Sequence, residues 1–165
     1  DTFWLSMASE FQDRKFVSIT KGDIDLTAFS DDKKEKNKKT PAGIKGLVEK
    51  IKEILGDHVQ DVKVSTKLVD SACCLVAPDT GMDVQMERIM KIQNKDFKGM
   101  PRILEVNPDH NIIKKLNKIK DSDKDALNDA SFLLFDQAKM VEGELPQDVA
   151  KFNQRMSKFL GLALG

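Results

Sequence analysis

Two adjacent cysteines, Cys73 and Cys74, two histidines, His58 and His110, and a methionine-rich stretch from Thr80 to Lys95 carry most of what chemistry this 165-residue chain offers. A thiolate beside a base would be a nucleophile or a redox group. Here the cysteines open the apolar run ACCLVA (Ala72 to Ala77), where cysteine is normally inert and buried, and nothing nearby in sequence would lower a thiol pKa. Adjacent cysteines supply neither a disulfide framework nor a metal-ligand spacing, which fits a reducing compartment. His58 follows Gly56 in a turn and His110 opens a helix, with no second ligand or nucleophile at a useful spacing, so a structural role is expected for both. A glycine-rich phosphate loop, a GxSxG elbow, paired carboxylates and zinc spacings are all missing. The expectation is a chain without catalytic residues, bound cofactor or metal. The competing reading is a thiol-dependent or redox-regulated enzyme domain using Cys73 or Cys74.

The methionines point to a different kind of work. In TGMDVQMERIMKIQNK, Met82, Met86, Ile89 and Met90 share one face of a helix, with Gln85, Glu87, Arg88 and Lys91 elsewhere around it. Flexible, polarizable thioethers suit promiscuous binding surfaces, and they equally fill cores. Pattern alone does not separate the two. Net charge is zero, with 27 basic and 27 acidic residues, which argues against a nucleic-acid binder. A nucleic-acid adaptor built on Lys33 to Lys39 is the weakest alternative, because Asp31, Asp32 and Glu35 dilute that cluster. The run Ala72 to Ala77 falls far short of the ~20 apolar residues a spanning helix needs, so neither a membrane nor a nucleic acid is an expected partner.

Positioning these residues requires an α+β arrangement. Trp4, Met7, Ala8 and Phe11 recur at helical spacing, and Lys15 to Thr20 alternates as a strand would. Asp31 to Lys39 carries no apolar residue and reads as a charged linker over 30–40, with the main domain over 41–165. Thr40-Pro41 reads as an N-cap and first helical position, followed by Ile44, Leu47, Val48, Ile51, Ile54 and Leu55 on one face, with Gly56 as the stop. Val62, Val64, Thr66 and Leu68 alternate, ACCLVA follows, and Arg102 to Val106 makes a third strand. A small antiparallel or mixed sheet covered by helices is expected. Asn107-Pro108 reads as a second N-cap, before Ile112, Ile113, Leu116 and Ile119.

The last third forms a helical hairpin. Leu127, Ala130, Leu134, Ala138 and Val141 make one stripe, ended by Gly143. After Pro146, Val149, Phe152, Met156, Phe159, Leu160 and Ala163 make another. Such broad apolar faces suit either packing on the chain's own domain or a four-helix bundle with a second copy.

The segments FQDRKFVSITKGDIDL, DVKVSTKLVDSACCLVAPDTGMDVQMERIM, ILEVNPDHNIIKKL and LLFDQAKMVEGELPQDVAKFNQRMSKFLGLAL, in this order, resemble the C-terminal region of the ninety-kilodalton heat-shock chaperones of the bacterial HtpG type. The resemblance implies a homodimerisation and client-contact module of an ATP-dependent folding and stress-response chaperone. The ATP site, with its magnesium, would lie in an N-terminal domain outside this chain, and this part would not be catalytic. Residues 1–29 would end a middle domain. The hairpin would form the dimer's four-helix bundle through Leu134, Ala138, Val149, Phe152, Met156, Phe159 and Leu160. Met82, Met86, Ile89 and Met90 would meet unfolded or partly folded client proteins. An ending of Leu-Ala-Leu-Gly, without an acidic EEVD-type tail, suggests the bacterial cytoplasm or an organelle.

Overall fold

A computed structural model describes residues 10–12, 14–15, 42–78, 89–90, 92–94 and 100–164. Near the start, β1 (Glu10–Phe11) pairs antiparallel with β2 (Arg14–Lys15) across a turn in which Gln12 takes a φ of 50°. The helix expected up to Phe11 therefore does not include Glu10 and Phe11, and the rest of it lies outside the described residues, as does the expected strand beyond Lys15.

Helix α1 (Ile44–Leu55) starts later than the Thr40-Pro41 signal implied. Gly43 has a φ of 82°, a left-handed conformation that cannot continue a helix, so the first helical residue is Ile44. Thr40 and Pro41 are themselves outside the described residues. The helix stops at Gly56 as its sequence requires, and Ile44, Leu47, Ile51 and Leu55 are all buried.

Strands β3 (Val59–Val64), β4 (Cys73–Val76) and β5 (Arg102–Val106) form one mixed sheet in the order β3-β5-β4, with β3 parallel and β4 antiparallel to the central β5. Leu104 faces Val62 on one side and Leu75 on the other. The first strand begins earlier and ends earlier than its alternation suggested. Ser65 terminates it by accepting the N–H groups of Lys67 and Leu68 at 3.2 and 3.3 Å, while its hydroxyl donates to Glu105 at 2.8 Å. Thr66 and Leu68 consequently leave the ladder.

Helix α2 (Asn111–Ile119) is capped by His110, not Asn107: the His110 Nδ1 accepts the N–H of Ile112 at 3.2 Å. Asn107 is fully buried and does something else. Its Nδ2 donates to the carbonyls of Val69 (3.0 Å) and Ser71 (3.1 Å), and its Oδ1 accepts the N–H of Asp109 (3.0 Å). One side chain thus ties the β3–β4 loop to the entry of α2.

Helix α3 (Lys124–Val141) is capped by Asp123, which accepts the N–H of Ala126, and it ends at Gly143, with a φ of 83°. There the N–H of Glu144 reaches the carbonyl of Lys139, and that of Gly143 reaches Met140. This double closure satisfies carbonyls the last turn would otherwise leave open. Helix α4 (Val149–Leu164) begins under Asp148, whose carboxylate accepts the N–H of Lys151 at 2.9 Å. The core lies between the sheet and α1, α2 and α3, and includes Val62, Leu104, Val106, Ile113, Leu116, Leu127 and Phe135.

Candidate self-association and client-contact surfaces

Helix α4 rests on α3 through one charged cluster and a few rings. Asp129 accepts from Lys158 at 2.6 Å and pairs with the Arg155 Nε at 3.4 Å, and the Arg155 guanidinium lies 4.4 Å over the Phe132 ring. Phe159 is half-buried against the core. These contacts occupy one side of α4. Its apolar arc is wider: Val149, Met156, Leu160 and Leu164 follow at steps of seven, four and four residues, along a neighbouring flank. Leu160 is 54% exposed and Leu164 is 88% exposed, and no residue of this 16-residue helix is buried.

The seven residues expected at a dimer interface divide into two groups. Val149 and Leu160 are exposed, and Phe152, Met156 and Phe159 are half-buried. Leu134 and Ala138 instead belong to the core of the single chain, at 3% and 4% exposure, which leaves them almost no surface for a second copy. Their stripe on α3 is filled by the chain's own sheet and α1. Leu162, not singled out in the sequence, is also exposed. It falls outside the regular stripe of the helix, so spacing gave no signal for it.

Of the methionine-rich face, Met82 and Met86 lie outside the described residues. Ile89 and Met90 are helical, and the Asn94 N–H reaches the Met90 carbonyl at 2.8 Å. Ile89 is exposed and Met90 half-buried. Ile92, one turn beyond Ile89, is 80% exposed and extends the apolar surface; its i+3 spacing was the available signal.

The reactive side chains are not assembled. The Cys73 Sγ donates to the Leu134 carbonyl at 3.3 Å, and burial pushes its thiol up to about 12. Cys74 is pushed up to about 11, first by burial and then by the Glu105 charge. Both shifts favour the neutral thiol at physiological pH, which gives no support to a cysteine nucleophile. His58 packs edge-on against Phe132, 5.6 Å between ring centres, and His110 caps α2. Among the described residues no group of three or more His, Cys, Asp or Glu is placed to hold a metal, and no helix is long and apolar enough to cross a membrane.

Below the hairpin, two polar features hold α3. Asp136 is buried, and desolvation raises its pKa against the opposing charges of Arg155, Lys139 and His58. Arg102, buried at the start of β5, pairs with Glu142 and lies 3.6 Å from Glu144, fastening the α3–α4 turn to the sheet. Periodicity carried no trace of this long-range pair.

With this geometry in place, comparison with known proteins settles the family. The profile of the Hsp90 protein family matches residues 1–165. The chain belongs to the Hsp90 family. It is 37% identical over 169 residues to the chaperone protein HtpG of Mesorhizobium japonicum, covering 100% of this chain and 27% of that protein. It is 38% identical over 160 residues to HtpG of Burkholderia ambifaria, covering 97% of this chain and 25% of that protein. For HtpG of Roseobacter denitrificans the identity is 38% over 171 residues, covering 99% and 28%. The chain therefore spans about a quarter of the length of these Hsp90 relatives.

Proposed function

We propose that this chain is the homodimerisation and client-contact module of an Hsp90-type chaperone. The observation that carries the reading is α4: sixteen residues, none buried, with Val149, Leu160 and Leu164 exposed beside the side that packs on α3. A lone amphipathic helix gains most of its stability by burying its apolar face, and a second copy supplies that surface in an isologous arrangement. Two hairpins then form a four-helix bundle in which α4, rather than the buried Leu134 and Ala138 of α3, makes the contact. At about 25 cal/mol per Å2 of apolar surface removed from water, burial drives the association.

The working cycle belongs to the whole chaperone. ATP and magnesium would act in a part of the protein outside this chain, and dimerisation here would raise the effective concentration of the two ATP-binding domains for each other. Unfolded client segments would meet the face of Ile89 and Ile92, together with Met82, Met86 and Met90, through adaptable apolar contact. The bacterial cytoplasm is the setting this role implies.

The test is a surface charge on α4. Leu160→Asp places a carboxylate in the contact without touching the core, unlike a charge at the half-buried Phe159. The variant is expected to halve the solution mass with thermal unfolding of the monomer unchanged. An unaltered mass would exclude α4 as the interface.

A further inference from the structure

A second feature of the surface lies on α2 and the loop before it. Helix α2 packs on α1 and α3. It contains no acidic residue, and Lys114, Lys115 and Lys118 are all exposed. Like charges at i and i+4 repel along a helix, and cations near its N-terminus oppose the dipole. Among the described residues, Lys114 is the one of the three with a carboxylate at hand, Asp109 at 3.6 Å, with both side chains about half exposed. The neighbouring Asp121 is already taken by Lys50 and Lys120. Among the described residues, the positive charge of α2 is thus left largely unneutralised.

Apolar groups accompany that charge. Ile112 is 44% exposed on the first turn of α2, one turn before Lys115. Val69 is 82% exposed, and its backbone is held at the entry of α2 by the buried Asn107. A side chain whose backbone is fixed by hydrogen bonds costs little ordering on binding.

We infer that Val69, Ile112, Lys114, Lys115 and Lys118 form a docking surface for an acidic polypeptide segment that carries apolar side chains between its carboxylates. Charge complementarity selects the acidic partner, and the two exposed aliphatic groups select a peptide over a phosphate backbone. Asp109 and Asp121 border the lysines and would repel an extended polyanion.

The probe is a fluorescein-labelled twelve-residue peptide of alternating Glu and Leu, followed by anisotropy on this chain at several salt concentrations, against the same peptide with Gln for Glu. Saturable binding that weakens with salt, and at least tenfold loss in the double variant Lys115→Glu/Lys118→Glu with an unchanged unfolding midpoint, is the expected result. Ile112→Ser should weaken binding several-fold without altering the salt dependence. Equal affinity for the Gln peptide, or binding untouched by the double variant, would overturn the proposal. Tighter binding of a single-stranded oligonucleotide or of vesicles containing anionic lipid would overturn it in favour of those partners.

Discussion

Replacing Asn107 by alanine removes three hydrogen bonds at once while leaving the backbone bond from its N–H to the Ala72 carbonyl in place. The carbonyls of Val69 and Ser71 lose their donor, and the N–H of Asp109 loses its acceptor. Each orphaned group costs about 1–3 kcal/mol when water cannot reach it. The bonds are only partly buried, so water recovers some of the loss, and the sum comes to about 2–4 kcal/mol. In urea, with a slope of about 2 kcal/mol per molar for a protein of this size, the midpoint should fall by roughly 1–2 M. Equilibrium unfolding followed by far-UV circular dichroism reads this directly. Asn107→Asp sharpens the test, because a carboxylate turns acceptors toward two carbonyls that need donors. At neutral pH it should destabilise at least as much as alanine, and it should regain part of the loss once the carboxyl is protonated and can donate. A midpoint shift of Asn107→Ala below about 0.3 M, or an Asp variant as stable as the parent, would refute the assignment of Asn107 as the tie between loop and helix.

Asp136 gives a pH signature of known sign. Its folded pKa is raised by burial, so its favourable contribution is present below the unfolded carboxylate pKa and is lost as pH rises through the folded value. Asp136→Asn is therefore expected to raise the unfolding temperature at pH 7 and to leave it unchanged at pH 3; a lower unfolding temperature at pH 7 would mean that Arg155 and Lys139 outweigh the burial. Cys73 and Cys74, both held as neutral thiols, should react with a maleimide far more slowly than a free cysteine in the same buffer. Labelling at the free-cysteine rate would restore the thiol-enzyme reading.

Much of the architecture is visible in residue types alone, and the departures share a cause. The alternation of β3, the apolar β4 and the Pro101-led β5 are local patterns, but their order, with β5 central and parallel to β3, depends on contacts between distant segments. Element ends moved wherever a side chain or a backbone angle acted on its neighbours. Gly43 delayed α1, Ser65 stopped β3, and His110 took the cap expected of Asn107. The hairpin shows the limit for the site. Spacing reveals that Leu134 and Leu160 both lie on apolar stripes, yet only the fold shows that the first is filled from within and the second faces water. The family resemblance read from four segments in register agrees with the Hsp90 match over the whole chain. Met82 and Met86 remain expectations of sequence, whereas Ile89 and Ile92 now have observed exposure.

Solution mass by light scattering over a concentration series, from about one to one hundred micromolar, tests the central claim most directly, since self-association makes mass depend on concentration. The account predicts twice the 18.5 kDa chain mass at the upper end, falling toward the single-chain value on dilution or with Leu160→Asp. A mass of one chain throughout would contradict it.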